Sequence, residues 1–219
     1  MKRTGSLVVL VLVSTQLAFS HPFKSYGIKT GMSIASQSYS YAVSGLTGPE
    51  QSLRNFCIGG FAEWQANERF GFLTEVYYIR KGAVDESIHT AETGPTSLGT
   101  LKWEYRIDYI SIPFLAKLNV AKGQSLFYGV LGPRMDIRLD QSDELAGYDE
   151  ASELMASIYP DYRKVDFGLD LGIGVERAVT SLFDLILEFR YSPSLTRVYD
   201  SESFGIRNQS FELLLGFQL

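Results

Sequence analysis

The stretch VDFGLDLGIGV, residues 165–175, sorts its side chains into two sets. The odd positions, from Val165 to Val175, all carry apolar residues, whereas the even positions between them carry aspartate or glycine. Successive side chains of a strand point to opposite faces, while a helix would mix the two sets around its axis. The stretch therefore predicts a β-strand with one apolar face and one face of acids and small residues.

Seven other segments show the same period of two, clearly in four of them and more weakly in three. A strand that crosses a membrane at a tilt needs about 9–11 residues, and the alternation is sustained over such lengths. Together with residues 165–175, these segments predict an all-β fold, an antiparallel up-and-down transmembrane β-barrel of eight strands. The seven segments are 26–36, 56–65, 70–81, 109–119, 127–139, 183–192 and 211–219.

The predicted connections between these strands alternate between short and long. In outer-membrane barrels the short turns lie on the periplasmic side and the long loops lie outside. Because the number of strands is even, both termini are predicted to be periplasmic. The short connections are 67–69, 121–123 and 178–181, the long ones are 37–53, 82–102 and 140–163, and 200–207 is intermediate.

The composition excludes several classes of protein. The chain has 219 residues, with 20 lysines and arginines against 25 acids, and its net charge is −5. A nucleic-acid partner would need a basic surface, so we expect no nucleic-acid binding. The single cysteine, Cys57, allows neither an intrachain disulfide nor a thiolate metal cluster, and no cofactor is predicted. The 20 glycines, 13 tyrosines and 14 phenylalanines favour strands and turns over helices.

The first twenty residues have the pattern of a secretory signal peptide. A basic pair and an apolar run at 7–13 precede the small residues Ala18 and Ser20, which frame a cleavage site. A membrane anchor is the alternative, but spanning the bilayer needs about 20 apolar residues and the run is much shorter. We therefore predict a cleaved signal peptide at 1–20 and an exported outer-membrane β-barrel domain at 21–219.

The period of two fits two kinds of barrel. A soluble, lipocalin-like barrel would bind an apolar ligand inside and turn its charges to water, whereas a membrane barrel turns its apolar face to lipid. We favour the membrane barrel, because the strands are long and their polar face mixes glycines with charges of both signs, which suits a narrow lumen. Large aromatics also lie near the predicted periplasmic ends, as in an interfacial girdle. The predicted girdle consists of Tyr26, Trp64, Phe70, Phe127, Phe183 and Phe217.

The polar faces of the strands predict a lumen filled with charge. An eight-stranded barrel is only wide enough for side chains, and an unpaired buried charge is costly, so we expect salt bridges that close the lumen. A cation path or a metal site is the functional alternative. Pro113 lacks an amide hydrogen in a predicted strand, so we expect a bulge or a local break in pairing there. The predicted lumen charge network consists of Lys29, Glu63, Glu75, Lys117, Arg134, Asp136, Arg138, Asp166, Asp170, Glu176, Glu188, Arg190 and Glu212.

Five motifs, in order along the chain, carry a family resemblance. They are YGIKTG at 26–31, FLTEVYY with a following KG at 72–82, YISIPFLAK at 109–117, DFGLDLGIG at 166–174 and EFRYS at 188–192. With them the chain resembles the PorT-like small outer-membrane β-barrel proteins of Bacteroidetes-type bacteria. The resemblance implies the fold and an outer-membrane location. It implies no single activity, because a few members act in secretion or gliding apparatus and most have none assigned.

Few residues have the pattern of a catalytic site. His89 lies in a predicted long loop near Asp85, and such a pair would activate water in a membrane-embedded hydrolase. A solvated loop histidine is the simpler interpretation, since loops carry many polar residues. Cys57 lies on the lumen side of its strand and is expected to be a small buried side chain rather than a nucleophile. The chain has no GxSxG, HExxH or phosphate-loop motif.

The longest predicted loop, 140–163, is acidic with interspersed apolar residues, and its middle, 150–158, is predicted to form a short helix, a lid or a docking patch.

We expect a monomeric barrel without catalytic, cofactor or metal sites, with a structural or interaction role in the cell envelope. Its expected partners are outer-membrane lipid and an envelope protein bound through the outer loops. The alternatives are a PorT-type component of a secretion or gliding apparatus, a membrane-embedded hydrolase, a soluble ligand binder and a narrow pore.

Overall fold

The structure of the chain is a computed structural model that describes residues 23–41, 51–90, 97–121, 123, 125–146, 162–201 and 204–219. Regular secondary structure in these residues is entirely β-strand. None of the described residues forms a helix long and apolar enough to cross a membrane. The strands are β1 (Phe23–Tyr41), β2 (Gln51–Gln65), β3 (Phe70–Thr90), β4 (Ser97–Ala121), β5 (Ser125–Ala146), β6 (Val165–Ala178), β7 (Asp184–Pro193), β8 (Tyr199–Asp200) and β9 (Phe204–Gln218).

The strands form one antiparallel sheet that closes on itself. Each strand from β1 to β7 pairs with its neighbour in chain order, β7 pairs with β9, and β9 returns to β1. The closing ladder runs from Gly27↔Gln218 to Tyr41↔Phe204. β8 has two residues and pairs with β9. The barrel itself therefore has eight strands, β1–β7 and β9, in up-and-down order, which confirms the predicted fold.

The start of β1 and the end of β9 lie at the same end of the barrel as the short turns. The amide of Leu219 donates a 2.9 Å hydrogen bond to the carbonyl of Tyr26. The turn after β2 is fixed by Asn67, whose Oδ1 accepts two 2.9 Å hydrogen bonds from amides of the turn. In the turn after β6 the hydroxyl of Thr180 accepts two amide hydrogen bonds in the same way. Side chains of this kind satisfy the backbone of tight turns, which explains the short connections at this end.

The apolar face of the barrel points outward. Phe167 and Leu187 are 51% and 45% exposed, whereas Asp170 and Glu188 on the same two strands are 1% and 0% exposed. Lipid requires this arrangement, because hydrocarbon satisfies no polar group. The soluble, lipocalin-like alternative is wrong for this chain, since it needs the opposite arrangement.

At the other end of the barrel the strands are longer than predicted. The stretch 82–102, predicted as a long loop, is mostly a hairpin extension, because β3 continues to Thr90 and β4 begins at Ser97. The same correction applies to 140–163, where β5 continues to Ala146. Beyond the apolar band the outward face of β4 becomes polar, as at Arg106, whereas the inward face carries apolar residues such as Tyr105 and Ile107, which are buried. A prediction that follows an apolar outward face therefore ends too early, although the backbone ladder continues.

The outward faces of β3 and β4 mark the edge of the apolar band. Tyr78 pairs with Ile110, and the next outward pair is Arg80 with Asp108. From Arg80 β3 continues to Thr90, which is about 33 Å along the strand at about 3.3 Å per residue. The β3–β4 hairpin therefore extends well beyond the apolar band.

Pro113 interrupts the regular ladder of β4. It pairs in register with Arg134 of β5, but the ladder with β3 passes from Phe114 to Ser111 and leaves Pro113 out. No register shift occurs at Pro113 in either ladder. Of the two outcomes predicted for this proline, the local break in pairing is the one found.

The inward glycines of β6 make room for large side chains of β5. A Cβ at Gly168 would overlap the guanidinium of Arg134, and a Cβ at Gly174 would overlap the ring of Tyr128. The small face of β6 is therefore the complement of the large inward side chains on the neighbouring strand.

We predict that Gly174→Ala destabilises the barrel. The added Cβ would displace Tyr128 and break the 2.8 Å hydrogen bond from its hydroxyl to Glu188. Overpacking of this kind costs about 1–3 kcal/mol, and the free energy of unfolding in urea, measured in lipid vesicles, checks it. Gly129→Ala is the matched control, because the nearest atom to its added Cβ lies 3.8 Å away. Equal losses in the two variants would contradict the prediction.

Candidate functional site

The lumen collects the charged side chains of the polar strand faces. Odd-numbered residues of β1–β4 and even-numbered residues of β5–β7 and β9 turn to the barrel axis over most of their length. Among the described residues, five basic and eight acidic side chains are buried. An eight-stranded barrel leaves room for side chains and little else, so these charges must lie against one another.

Most of the buried charges form one continuous chain of ion pairs. The Nζ of Lys29 lies 2.7 Å from an oxygen of Glu75 and 2.8 Å from an oxygen of Glu188. Arg190 contacts the same two acids, and its Nη1 also lies 3.3 Å from Asp170. These contacts connect β1, β3, β6 and β7 across the lumen.

The chain of ion pairs continues through β5. Arg134 lies 2.9 Å from Asp170 and 3.0 Å from Asp136, and Lys81 of β3 lies 2.7 Å from Asp136. Bases and acids alternate along the whole chain, so each of its charges has an opposite charge in contact. Breaking such a pair by removing one partner is strongly unfavourable, because the other charge stays buried.

A second charged cluster lies nearer the short turns. Lys117 of β4 contacts Glu63 of β2 at 2.7 Å and also contacts Glu176 of β6. Tyr128 connects this cluster with the first one. Its hydroxyl donates to Glu188 at 2.8 Å, and the centre of its ring lies 4.5 Å from the Nζ of Lys117. The aromatic ring thus offers the lysine a cation–π contact while its hydroxyl serves the neighbouring acid.

Two buried acids are satisfied by hydroxyl groups. Asp166 accepts a hydrogen bond from Ser194 and one of 2.5 Å from Thr196. Glu212 accepts a hydrogen bond of 2.9 Å from Ser210. In the part of the chain that the structure describes, no three His, Cys, Asp or Glu side chains are arranged to hold a metal ion.

Apolar side chains fill the lumen on both sides of the ion pairs. At the outer end two connecting segments reach into the barrel through Tyr162 and Val198, which are buried. The amide of Val198 donates a 2.8 Å hydrogen bond to Ile206 and its carbonyl accepts one of 2.8 Å from Arg163. The outer cluster consists of Cys57, Tyr77, Ile79, Ile107, Tyr109, Tyr162, Val198, Ile206 and Leu214, and the inner one of Phe61, Leu73, Leu115, Tyr128, Val130 and Ile186.

All but one of the residues in the predicted lumen network lie in the interior. Arg138 is the exception, because it is half-buried at the outer end of β5, where it donates to Gln141 at 2.6 Å. It continues the inward register of Asp136, and the β4–β5 ladder shifts its register directly after it, from Tyr109↔Arg138 to Asp108↔Asp140. The interior residues are Lys29, Glu63, Glu75, Lys117, Arg134, Asp136, Asp166, Asp170, Glu176, Glu188, Arg190 and Glu212.

Lys81 and the apolar side chains in the lumen were not predicted from the sequence. Lys81 continues the inward register of Glu75 and Tyr77, but it stands at the edge of a stretch that was expected to be a loop. The inward tyrosines and leucines were missed because apolar residues on the lumen face weaken the alternation that identifies a strand.

The predicted girdle residues lie near the short-turn end. Trp64 and Phe183 are half-buried, and Phe183 packs on Phe217 with ring centroids 6.3 Å apart. Their contact with a membrane interface stays a prediction. The exposed members of the set are Tyr26, Phe70, Phe127 and Phe217.

The two residues of the alternative hydrolase hypothesis, which were expected in a loop, lie on a strand. Asp85 and His89 belong to the extension of β3, paired in register with β4, and their side chains are outside the described residues. Cys57 is buried within the outer apolar cluster, as a small filler. The predicted signal peptide at 1–20 and the predicted short helix at 150–158 also fall outside the described residues.

A family match agrees with this geometry. Residues 20–200 match the model of the outer membrane protein beta-barrel domain. The chain belongs to this family. It is therefore a small outer-membrane β-barrel protein, and its outward apolar face is the surface that the outer membrane requires. Among curated proteins, none matches the chain in sequence.

Several solved members of the outer-membrane barrel fold are similar in structure. OprG from Pseudomonas aeruginosa is 13% identical, with a TM-score of 0.49 over 91% of this chain and 97% of that one. Outer membrane protein W from Escherichia coli is 13% identical, with a TM-score of 0.45 over 91% and 100%. Neisserial surface protein A is 18% identical, with a TM-score of 0.43 over 89% and 96%. At these identities and scores the likeness says nothing about a ligand or an activity of this chain.

We predict that Lys29→Met destabilises the barrel by about 3–5 kcal/mol, because Glu75 and Glu188 would stay buried with one base fewer. Lys24→Met is the matched control. Lys24 contacts Glu63 at 2.9 Å, but its side chain is 27% exposed, so a loss of about 0–1 kcal/mol is expected. Urea unfolding in vesicles measures the free energy of unfolding of both variants. Similar losses would contradict the prediction that the buried ion pairs of Lys29 contribute more stability than the partly exposed pair of Lys24.

Proposed function

We propose that this outer-membrane barrel is closed and non-catalytic, and that it serves the cell envelope as a monomeric structural or interaction protein. The observation that carries the proposal is the occupied lumen. A continuous chain of ion pairs fills its middle, and apolar clusters fill it on either side. A barrel of eight strands has no room for a wide channel beside such side chains.

The proposal includes an orientation in the membrane. The short turns, the start of β1 and the end of β9 face the periplasm, and the extended hairpins face outward. Short turns gathered at one end and long hairpins at the other support this orientation, since outer-membrane barrels share it. The β3–β4 hairpin is then the largest described outer projection and the surface we assign to an envelope protein partner.

A component of a secretion or gliding apparatus of the PorT type is the finer alternative. It is supported by the resemblance at 109–117 on β4. Within that motif Tyr109 belongs to the outer apolar cluster and Lys117 pairs with Glu63, so the motif serves the packing of the lumen. The motif therefore supports the shared fold more directly than it supports a role in an apparatus.

A hydrolase centred on His89 and Asp85 is the other alternative. The two residues are four apart in a strand, so their α-carbons are separated by about 13 Å at about 3.3 Å per residue. A direct hydrogen bond between a general base and its orienting acid needs about 2.6–3.2 Å between heavy atoms. The strand geometry thus favours the non-catalytic proposal.

We predict that the purified protein gives no steady open current in planar lipid bilayers, because paired charges and apolar side chains occupy the lumen. Current recordings at both polarities check this, with a wide porin inserted into the same bilayers as the positive control. Steady currents from the wild-type protein would contradict the closed lumen.

We predict that shortening the β3–β4 hairpin removes crosslinking to an envelope protein in intact cells. Replacing residues 85–103 by an Asn-Gly turn would connect Val84 and Glu104, which pair in register, so the barrel below keeps its ladder. His89→Ala is the control for the hydrolase alternative, and it should keep both the crosslink and the stability of the barrel. A crosslinked partner retained by the shortened variant would contradict the assigned surface.

A further inference from the structure

A polar groove of about 360 Å³ lies on the outside of the barrel, at the outer end of β2 and the middle of β3 and β4. Phe56 and Tyr78 are the last residues of the apolar band on the outward faces of β2 and β3. The next outward residues on the same strands are Arg54 and Arg80, which line the groove. The groove therefore lies where the apolar surface of the barrel gives way to a polar one.

The groove forms where the wall of the barrel is locally unpaired. The β2–β3 ladder pairs Ser52 with Ala83 and resumes at Cys57 with Ile79, with a register shift between them. Gly82 lies opposite this gap with a φ of 150°, and a Cβ there would overlap the backbone of β4. Such a backbone conformation favours glycine. The gap is thus built into the backbone at this height.

Three arginines and one acid line the groove. Arg54, Arg80 and Arg106 are the bases, and the acid, Glu104, forms an ion pair of 2.5 Å with Arg106. Arg80 is bound by Asp108. The Nε and Nη2 of Arg80 donate hydrogen bonds of 2.5 Å and 2.9 Å to the carboxylate of Asp108. These hydrogen bonds from Arg80 hold the pKa of Asp108 below its ordinary value, so the pair is ionised at neutral pH. The guanidinium of Arg80 is therefore fixed in place beside the groove.

Arg54 is the arginine of the groove that has no partner among the described residues. It is exposed and forms no hydrogen bond or ion pair with them. Asn55 also lines the groove, but it is odd-numbered on β2, and its side chain belongs to the inward register of Leu53 and Cys57. A guanidinium without a carboxylate partner keeps all of its donors available for an anion. The chemistry of the groove thus suits an anion.

We propose that this groove binds the phosphate of a lipid headgroup. Planar guanidinium groups bind phosphate oxygens with well-matched geometry. A lipid phosphate stands directly above its own acyl chains, and the groove stands directly above the exposed apolar side chains of Phe56 and Ile58. The groove also opens on the outward face of the barrel, which lipid reaches. The orientation of the barrel in the membrane, which belongs to the proposed function, decides only which leaflet supplies the lipid.

Spin-labelled lipids test the proposal in symmetric vesicles, where the orientation of the barrel has no influence. The full protein is reconstituted in phosphatidylcholine with a trace of spin-labelled phosphatidic acid or spin-labelled phosphatidylcholine. The motionally restricted fraction gives the association constant of each label. We expect the wild type to prefer phosphatidic acid. Arg54→Gln should reduce that preference about fivefold, because it removes the attraction between one arginine and the anionic headgroup.

Arg207→Gln is the matched control, because Arg207 is an exposed outward residue at the same end of β9 and does not line the groove. It should leave the preference unchanged. No preference in the wild type would overturn the proposal, and so would equal reductions in the two variants, since these would indicate diffuse charge. Loss of the preference in inorganic phosphate, but not in sodium chloride of equal ionic strength, would identify a site for soluble anions and overturn the lipid assignment.

Discussion

Hydrocarbon satisfies no polar group, and this constraint arranges the whole barrel. With Phe167 and Leu187 turned to the outside, the acids on the same strands have only the lumen to occupy. That lumen is narrow, because eight strands enclose little more than side chains. The buried acids and bases must therefore contact one another, and the chain of ion pairs from Lys29 to Lys81 is the result. Its charges are explained by the fold without a substrate.

The ion pairs also fix the register of the strands. A buried salt bridge is weak evidence for net stability, because desolvation offsets much of the attraction between the charges. A slip of one residue, however, would move every charge of a strand from the lumen to the lipid. Lys29 and Arg190 each contact acids from other strands, so their contacts are compatible with one register only. Arg134 lies where a Cβ at position 168 would stand, so this contact between β5 and β6 also requires the observed register.

The strands and their faces could be predicted because they depend on local alternation. β6 and β7 follow the period of two closely, and the outward position of Phe167 and the inward position of Asp170 follow from it. The hairpin extensions were not predicted this way, since beyond the apolar band the outward face of β4 is polar and its apolar residues, such as Tyr105 and Ile107, lie inside the barrel. Lys81 is the last residue of the predicted strand 70–81, and it was missed because the next residues were assigned to a loop. The groove at Arg54 depends on a gap between β2 and β3, which is a property of pairing between strands and leaves no local pattern.

Spin labels on the two faces of β7 test the central claim, that the apolar face meets lipid and the polar face meets the axis. In a Cys57→Ser background, single cysteines at Leu187 and Ser192 are labelled in vesicles, and collision rates with oxygen and with a water-soluble nickel chelate are compared. Leu187 is 45% exposed and Ser192 is 0% exposed. We expect the label at Leu187 to collide mainly with oxygen and the label at Ser192 to be shielded from both reagents. A label at Leu187 that collides mainly with the nickel chelate would contradict an apolar face turned to lipid.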